Sequence, residues 1–589
     1  MKNIDKLKSC ENLKDLANLL GYETKIFSWI IYKDTKNYTS FKIRKKSGGH
    51  RIIEKPYPKL KLIQQKLSAL FYNCIDELDA KKFDPSHGYK KKRSIITNAS
   101  KHKNKKILIN IDLKEFFPSI NFGRVYGYLI KNKNFNLNPE VAKVIAKIAT
   151  TENGLPQGSP LSPIISNLIA ENLDYHLTKF SKSIHCTYTR YVDDLSFSSN
   201  DKKIESIFLN TLNGEIHASL EFTRIIQNCG FEINHKKTRI SRKEDRQEVT
   251  GIVVNKRINV QNDYRKYVRA MVHNYITIGN FHIPDPIKNR ILNKYSKKES
   301  PTKILQGMLG YIDHIDLYSE YLEKSQYQNF GSFSEFKTIK TRQITEKNSS
   351  QEKIYRNFLI YDWLYTTKST VLICEGKTDP VHIKCALNSL SNNFPNLIKF
   401  DDAGYYQEPA FRIIGCDEKR TLSLLKLTGG TDNLGNFSRE YKKSLPYKNY
   451  ITNNKITDVK PVIILMDNDD GLKKFTSKIT NIEKEDVQNN VTHIQGNLYY
   501  IVLDKQGSIE DLYDPSVLLE EIDGRKFNKS NTSFDKEIYY GKVDFAEKII
   551  KENLSNINFS RFMEIFQKIQ SCETHFQKNI TKILNNFIK

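Results

Sequence analysis

The sequence predicts a multidomain protein in which a large α+β part is followed by a smaller α/β domain and a helical tail. Two observations support this prediction. Strand-like apolar runs end in acidic residues in two distant parts of the chain, and a polar segment lies between these parts. The chain has 589 residues, which is enough for two to four domains with sizeable cores.

The net charge of +26 is concentrated in the first part of the chain. Residues 1–350 hold 60 Lys and Arg against 35 Asp and Glu, whereas residues 351–589 hold 33 against 32. A basic surplus attracts polyanions, because each neutralised phosphate releases counterions. Lysine clusters at residues 90–93 and 101–106 favour nucleic acid as the partner over the alternative of a solvated surface.

The N-terminus and the cysteines predict a cytoplasmic protein with no membrane partner. The first 20 residues are amphipathic and lack the apolar core of a signal peptide, and no apolar run approaches the roughly 20 residues that span a bilayer. The 8 cysteines include no Cys-x-x-Cys pair and no zinc-binding spacing. We therefore expect free thiols in a reducing cytosol.

Residues 1–100 combine short helices with a basic strand–turn–strand whose turn is Ser47-Gly48-Gly49. Two stronger strands follow: ILINIDL ends on Asp112, and CTYTRYVDDLSFSS carries Asp193 and Asp194 near its middle. The intervening segments VAKVIAKIAT and SPIISNLIAENLDYHLTKF predict helices, because their apolar residues recur at helical spacing.

The pattern changes in the second half of the chain. Residues 326–356 are polar and rich in Ser, Gln, Lys and Thr, which favours a linker. The runs STVLICEG and KPVIILMDND then predict buried strands of a parallel sheet, each ending in an acidic turn. The predicted division is an α+β part at 1–255, helices at 256–325, a linker at 326–365, an α/β domain at 366–515 and a helical extension at 516–589.

The first acidic set suits nucleotidyl transfer, which uses two divalent ions about 3.5–4 Å apart to clamp the attacking and leaving oxygens. Carboxylates from different strands must converge to hold such ions. Asp193 and Asp194 are neighbours and would face opposite ways in a regular strand. Both can approach a metal only where the chain bends, so we expect a hairpin around them.

The segments IDLKEFFPSI, GLPQGSPLSPIISNLIA and YVDD resemble motifs A, B and C of reverse transcriptases, and INHKKT and VTGI occupy the places of the two following motifs. The resemblance implies a right-hand polymerase, with fingers and palm over 1–255 and a helical thumb over 256–325. It assigns two Mg²⁺ ions to Asp112, Asp193 and Asp194, with dNTPs as substrates.

The same resemblance implies roles in nucleotide binding. Phe117, five residues after Asp112, would be a steric gate against the ribose 2′-OH, so the product would be DNA. Gln157 would line the incoming nucleotide. Contacts with the triphosphate would come from basic side chains, namely Arg51 with the nearby Arg44, Lys45 and Lys46, and Lys237.

Two shorter patterns are similar to those of retron reverse transcriptases. Asn98-Ala99-Ser100-Lys101-His102 matches Asn-Ala-x-x-His, and Val249-Thr250-Gly251 matches Val-Thr-Gly. This resemblance implies that Asn98, His102, Val249, Thr250 and Gly251 help to bind a cognate structured noncoding RNA, which is copied into a branched RNA–DNA product (msDNA). A group II intron maturase is the alternative, although no DNA-binding or Cys/His-bearing endonuclease tail is visible.

The second acidic set lies at the ends of two predicted strands. Glu375-Gly376-Lys377 follows VLIC, and Asp467-Asn468-Asp469 follows VIIL. Aspartates at i and i+2 of an extended chain share one face, so Asp467 and Asp469 can bind one Mg²⁺ together. Glu375 can complete the metal shell or act as a general acid or base.

This pattern resembles a Toprim domain over residues 366–515, which implies one or two Mg²⁺ ions and a nucleic-acid target. Further candidate ligands are Asp379, Glu510 and Asp511; Gly429-Gly430 would be a tight loop at the site edge, and Lys473 would contact phosphate. The fused pair implies a nuclease effector of antiphage defence, restrained by the RNA–DNA product. Two alternatives stay open, cDNA processing and nucleic-acid binding without catalysis. The sequence also leaves a homo-oligomer open.

Overall fold

The computed structural model divides the chain into two compact units, Met1–Asn262 and Asp263–Lys589. The described residues are 2–33, 37–44, 49–78, 84–212, 215–283, 300–342, 349–401, 404–417, 419–441, 459–480, 484–488, 490–530 and 534–588. The boundary between the units lies seven residues after the end of the predicted fingers and palm. The predicted thumb therefore falls mostly in the second unit, together with the predicted α/β domain.

The first unit combines helices with antiparallel strands. Its helices are Asn3–Lys8, Leu13–Leu19, Thr24–Tyr32, Pro58–Leu78, Ile95–Ser100, Phe122–Lys131, Pro139–Ala149, Ser162–Ile169, Glu171–Ser183, Ile204–Phe208 and Leu220–Asn228, with a 3-10 turn at His235–Lys237. Its strands are β1 (Tyr38–Arg44), β2 (His50–Pro56), β3 (Ile107–Asp112), β4 (Thr187–Tyr191), β5 (Asp194–Ser199), β6 (Leu209–Leu212), β7 (Glu215–Ala218), β8 (Arg239–Arg242), β9 (Glu248–Val249) and β10 (Ile252–Val253).

A four-stranded antiparallel sheet in the order β4-β5-β3-β8 forms the centre of this unit. The central strand β3 is buried almost throughout, as its apolar sequence predicts. Its residues Ile109 and Ile111 share one core with Val141 and Ile145 of helix Pro139–Ala149. The basic strand–turn–strand forms the hairpin β1–β2; Lys45, Lys46, Ser47 and Gly48 lie outside the described residues.

The second unit begins with long helices and continues into a mixed α/β arrangement. Its helices are Asn262–Ile278, Pro301–Lys324, Phe333–Arg342, Ser350–Ile360, Asp379–Ser389, Arg420–Leu425, Thr431–Tyr441, Asp470–Lys478, Pro515–Leu518, Lys542–Asp544 and Met563–Ile588, with π-helical turns at Tyr361–Tyr365 and Phe545–Ile550 and 3-10 turns at Pro395–Leu397, Ile509–Leu512, Leu554–Asn556 and Ser560–Phe562. Its strands are β11 (Val371–Cys374), β12 (Ile398–Phe400), β13 (Tyr406–Pro409), β14 (Arg412–Gly415), β15 (Val462–Met466), β16 (Glu485–Gln488), β17 (Val491–Gln495), β18 (Leu498–Val502), β19 (Lys526–Phe527) and β20 (Tyr539–Tyr540).

A six-stranded sheet in the order β14-β11-β15-β18-β17-β16 organises the α/β part. The neighbours β14, β11, β15 and β18 are parallel, and β17 and β16 add antiparallel strands at one edge. Every residue of β11 and β15 is buried, as the two apolar runs predict. The carboxyl ends of these parallel strands meet at one edge of the sheet.

The segment predicted as a linker, 326–365, contains regular structure. It includes the helices Phe333–Arg342 and Ser350–Ile360 and the π-helical turn Tyr361–Tyr365. Buried Tyr355, Phe358 and Leu359 hold the second helix in the core of its unit. The prediction of a linker from the polar composition was therefore wrong for this helix, whose few apolar residues lie on one face.

No helix in the described part of the chain is long and apolar enough to cross a membrane.

Candidate active sites

Three carboxylates meet at one end of the first unit's sheet. Asp112 ends β3, and its partner across the sheet is Asp194, the first residue of β5. Asp193 lies in the turn between β4 and β5, and its carbonyl oxygen accepts a hydrogen bond of 3.0 Å from the amide of Leu113. Val192 in this turn has a φ of 62°, which bends the chain. The bend expected around Asp193 and Asp194 is therefore present.

The carboxylate of Asp112 is held by a neighbouring loop. Asn234 donates from Nδ2 to Oδ1 at 3.0 Å, and Lys237 donates from Nζ to Oδ2 at 2.9 Å. The side chain of Lys237, for which a contact with the triphosphate is predicted, is about half exposed at this edge of the sheet. The ammonium group therefore lies where negative charge is concentrated.

The electrostatics of this edge favour a cation. Burial, with the adjacent charges of Asp193 and Asp112, raises the pKa of Asp194 to about 7. Burial and Asp112 also raise the pKa of Asp193, which Lys237 and Arg51 oppose. No group of three or more His, Cys, Asp or Glu side chains is gathered closely enough to hold a metal among the residues described. The three side chains are all carboxylates, the type of oxygen ligand that Mg²⁺ prefers.

Backbone hydrogen bonds connect the segments that carry Phe117 and Gln157, two of the residues predicted to contact the nucleotide. The amide of Leu155 donates to the Phe117 carbonyl at 3.1 Å, and the amide of Glu54 in β2 donates to the Gln157 carbonyl at 3.1 Å. The loop before helix Ser162–Ile169 therefore runs between β2 and Phe117. Gly158 is required in this loop, because its φ is 149° and a Cβ would lie 2.5 Å from the Glu54 carbonyl oxygen.

Arg51 and Phe117 differ in their surroundings. Arg51 is exposed on β2, and its charge is close enough to lower the pKa of Asp193 against the effect of burial. The half-buried ring of Phe117 meets Phe116 edge to face at a centroid distance of 5.7 Å. Phe116 in turn stacks on Phe231. The ring of Phe117 is therefore held in place by the core.

Asn98 and His102, which are predicted to help bind RNA, lie in the interior of the first unit. Both side chains are fully buried. The ring nitrogens of His102 are hydrogen-bonded to Ser198 and Thr189, each at 2.7 Å, and burial lowers the pKa of His102 to about 3. His102 is a neutral core residue that joins its segment to β4 and β5. Neither polar atom of the Asn98 side chain has a hydrogen-bond partner among the residues that the structure describes.

The Val-Thr-Gly segment forms the tip of the hairpin β9–β10 beside the Asn-Ala-x-x-His helix. Thr250 has a φ of 50° and Gly251 a φ of 81°, and the Thr250 hydroxyl donates to the Ile95 carbonyl at 3.2 Å. Val249 is fully buried, whereas Gly251 is exposed. The structure thus brings the two short motifs together, with Lys101 of the first motif and Gly251 of the turn exposed and Thr250 half-buried.

We expect the first unit to lose stability as the pH falls below about 6.5, partly through His102. The folded pKa of about 3 lies below the unfolded value, so the unfolded chain binds the proton first and stabilisation is lost as the pH falls towards 3. His102→Gln should reduce the change in unfolding free energy between pH 7.5 and 5 by about 2 kcal/mol. Urea-dependent hydrogen exchange of β4 and β5 measures this change. The exposed His176→Gln is the control, and an unaltered pH dependence in His102→Gln would contradict the assignment.

A second set of carboxylates lies at the carboxyl ends of β11 and β15. These strands are parallel neighbours, so Glu375 and Asp467 follow them at the same edge of the sheet. The Asp467 carboxylate accepts from the Ile509 amide at 3.2 Å. Asp469 caps helix Asp470–Lys478 by accepting from the Gly471 amide at 2.8 Å.

Asp379 and Glu510 join this set. Asp379 begins helix Asp379–Ser389 and accepts from the Gly376 amide at 2.8 Å. Glu510 is fully buried, and its Oε2 accepts from the Ser508 hydroxyl at 2.7 Å and from Lys542 Nζ at 3.1 Å. Lys542 was not anticipated, because nothing in its local sequence distinguishes it from other lysines of the C-terminal region. Only the packing of that region against the sheet brings it to the site.

The carboxylates of the second set repel one another in a buried site. Burial and the neighbouring acids raise the pKa of Asp467 to about 8, that of Glu375 to about 7 and that of Asp379 to about 6. The Oε2 atom of Glu375 is buried and has no hydrogen-bond partner in the described part of the chain. An uncompensated buried oxygen among mutually repelling carboxylates suits a divalent cation, and Lys542 adds positive charge through its ion pair with Glu510 at 3.0 Å.

The Gly429-Gly430 loop, Lys473 and Asp511, which are predicted to belong to the second site, have different surroundings. Gly429 and Gly430 have φ values of 105° and 81° and lead into helix Thr431–Tyr441, whose Thr431 lies against Gly471 at the site. Lys473 pairs with Asp470, and both side chains are almost fully exposed. Asp511 pairs with Lys529 and accepts from the Ser508 amide at 2.8 Å. Lys473 and Asp511 are thus engaged outside the buried set.

Comparison with known proteins relates this chain to one class of polymerase. The family profile described as reverse transcriptase (RNA-dependent DNA polymerase) matches residues 43–254, which include all three carboxylates of the first set. The retron Ec86 reverse transcriptase of Escherichia coli is 31% identical over 266 residues, which are 44% of this chain and 77% of that protein.

Two Myxococcus xanthus proteins are similarly related. The retron Mx65 reverse transcriptase is 32% identical over 256 residues, covering 40% of this chain and 56% of that protein. The retron Mx162 reverse transcriptase is 31% identical over 294 residues, which are 46% of this chain and 59% of that protein. The chain thus spans little more than half the length of these two relatives.

Two solved telomerase structures resemble the chain distantly. Telomerase from Candida albicans in complex with a fragment of telomeric RNA has a TM-score of 0.30 and 11% identity, covering 56% of this chain and 67% of that chain. Apo telomerase from Candida tropicalis, truncated from its C-terminal domain, has a TM-score of 0.27 and 16% identity, and the match covers 38% of this chain and 55% of that chain. Scores this low carry no structural conclusion.

Proposed function

Because the chain belongs to the family of retron reverse transcriptases, we propose that its first unit is an RNA-directed DNA polymerase that copies a cognate structured noncoding RNA. The meeting of Asp112, Asp193 and Asp194 at one sheet edge supports this function most strongly. Two Mg²⁺ ions bound there would supply the charge that activates the attacking oxygen and stabilises the leaving group. Lys237 and Arg51 add positive charge where the triphosphate would bind.

The proposed product is DNA joined to RNA in a branched molecule. The motif helix and the Val-Thr-Gly turn lie side by side, which suits a joint role in holding the RNA, with Thr250 and Gly251 at the surface and Asn98 and His102 as supports. Purifying the protein and sequencing its bound nucleic acid tests this proposal. We expect one RNA carrying a 2′-linked DNA strand. Linear cDNA alone would favour the maturase-like alternative.

Phe117 is the proposed steric gate, since its ring is held against the core beside the loop that carries Gln157. We expect Phe117→Val to reduce the preference for dNTPs over NTPs by about 10- to 100-fold in kcat/KM, because the removed ring opens space for a 2′-OH. Primer extension with each nucleotide class measures the ratio. The exposed Phe122→Val is the control. An unaltered ratio in Phe117→Val would place the gate at another residue.

For the second unit we propose a Toprim nuclease activity. Its support is the set of Glu375, Asp379, Asp467 and Glu510 near the ends of parallel strands, with Lys542 among them. Asp379 and Glu510 are buried, and Glu375 and Asp467 are half-buried. One or two Mg²⁺ ions held by these carboxylates and Asp469 would activate water for phosphodiester hydrolysis. Lys542 is positioned to stabilise the charge that develops on the phosphate.

The proposed biological role is antiphage defence in the cytoplasm, with the nuclease restrained by the branched product. Loss of that product during infection would release the nuclease. One alternative is that the second unit processes the cDNA of the first, and another is that it binds nucleic acid without cutting. Three carboxyls with raised pKa in one buried site favour catalysis over binding, because a site that only bound an anionic strand would gain nothing from their repulsion.

A further inference from the structure

Three loops of the first unit form a strongly basic surface at the end of the sheet away from the catalytic carboxylates. They are residues 101–106, 242–246 and 254–257, here called the three-loop surface. Together they contain nine Lys and Arg against two acidic residues. The side chains of Lys101, Lys106, Lys243, Lys256 and Arg257 are exposed. None of these five forms an ion pair with any residue that the structure describes.

Hydrogen bonds join the three loops into one rigid platform. The amide of Asn104 donates to the Val254 carbonyl at 2.9 Å, which links the first loop to the third. Asn255 donates from Nδ2 to the carbonyls of Lys243 and Asp245 at 3.2 and 2.6 Å, which links the third loop to the second. Fully buried Gln247 donates to the Ser241 carbonyl at 3.1 Å. The backbone that carries the charges is therefore ordered by these hydrogen bonds before any partner binds, which lowers the entropy cost of binding.

The three-loop surface is separate from the three carboxylates of the first set, and its first loop begins within the Asn-Ala-x-x-His motif, at Lys101 and His102. Strand β3 begins at Ile107, directly after the first loop, and ends at Asp112, so about 17 Å of strand separates the surface from the catalytic edge. In the hairpin β9–β10, Thr250 and Gly251 form the tip, whereas Gln247 and Val254 join at its base beside the surface. Polymerisation as proposed does not use these cations.

The chemistry of the surface favours the phosphate backbone of duplex RNA. Single strands are bound by aromatic side chains on which bases stack, and none of the three loops contains Phe, Tyr or Trp. Duplex RNA is bound mainly by contacts with phosphate and 2′-OH groups, which lysine and arginine supply. We propose that the three-loop surface binds a double-stranded stem of structured RNA. The choice of RNA as the duplex rests on the proposed function.

The test neutralises three cations of the surface in the full chain. Lys243→Gln, Lys256→Gln and Arg257→Gln are combined, and binding of a hairpin RNA is measured by fluorescence anisotropy over a series of salt concentrations. The logarithm of the binding constant decreases with the logarithm of the salt concentration. We expect this dependence to become shallower by about 2 to 3 in the neutralised variant, since each lost phosphate contact removes about one released counterion. An unstructured RNA of equal length should show a change of less than about 1.

Two control variants separate the effect of the surface charges from other effects on RNA binding. Lys143→Gln, Lys147→Gln and Lys179→Gln remove the same charge from exposed helix positions outside the surface and should leave hairpin binding unaltered. Lys243→Arg, Lys256→Arg and Arg257→Lys keep the charge and should bind as the wild type does, which excludes misfolding as the cause. An unaltered slope in the neutralised variant, or an equal loss for the unstructured RNA, would overturn the proposal.

Polymerisation is measured separately on a short RNA template with an annealed DNA primer. We expect the neutralised variant to extend this primer as the wild type does. A wild type that binds the hairpin RNA through the surface but extends no primer would contradict the proposed function and leave the binding surface standing. A wild type that extends the primer while the neutralised variant binds the hairpin normally would contradict the surface alone.

Discussion

Replacing Asp193 and Asp194 together with Asn is expected to reduce DNA synthesis by at least about 10³-fold. The two carboxylates would hold the metal ions that stabilise the transition state, and Asn keeps their size without the charge. Primer extension on an RNA template and the yield of branched DNA in cells both measure the effect. Undiminished synthesis would refute the assignment of these residues.

The same variant should not lose stability. Burial and mutual repulsion raise the pKa of both carboxyls, so removing the charges relieves an unfavourable interaction in the folded protein. We therefore expect an equal or higher melting temperature, which separates a catalytic defect from unfolding. The control combines Asp76→Asn and Asp201→Asn, which remove two exposed charges of the same unit, and it should polymerise normally.

Replacing Glu375 with Gln or Asp467 with Asn is expected to abolish nuclease activity while DNA synthesis continues. Each substitution removes one charge from the buried set that would hold Mg²⁺, and a loss of at least about 10²-fold is expected. Cleavage of single- and double-stranded DNA and RNA with Mg²⁺ measures the activity. Branched-DNA yield and phage plating are then compared in the same strain.

Two controls match these substitutions in type. Asp470→Asn changes the exposed neighbour of Asp469, and Glu552→Gln changes an exposed acid of the C-terminal extension. Both should keep nuclease activity and protection. Full protection by Glu375→Gln with unaltered DNA synthesis would contradict the nuclease effector and favour the alternative in which the second unit only binds nucleic acid.

Several features of the fold followed from the sequence alone. The apolar runs ending at Asp112, Cys374 and Met466 are buried strands, because a strand covered on both faces needs apolar residues at every position. The bend at Asp193 followed from the need to bring two adjacent carboxylates to one edge. Local pattern suffices in these cases because the constraint acts on residues that are neighbours in the chain.

Other features were decided only by tertiary structure. His102 matched a binding pattern but is enclosed between Ser198 and Thr189, residues about 90 positions away in sequence. Lys542 reaches Glu510 across 32 residues. Helix Ser350–Ile360 lies in a segment whose composition predicted a linker, because three of its apolar side chains are buried in the core of the second unit. Burial and charge pairing depend on which distant segments pack together, and the local periodicity of the sequence does not determine that packing.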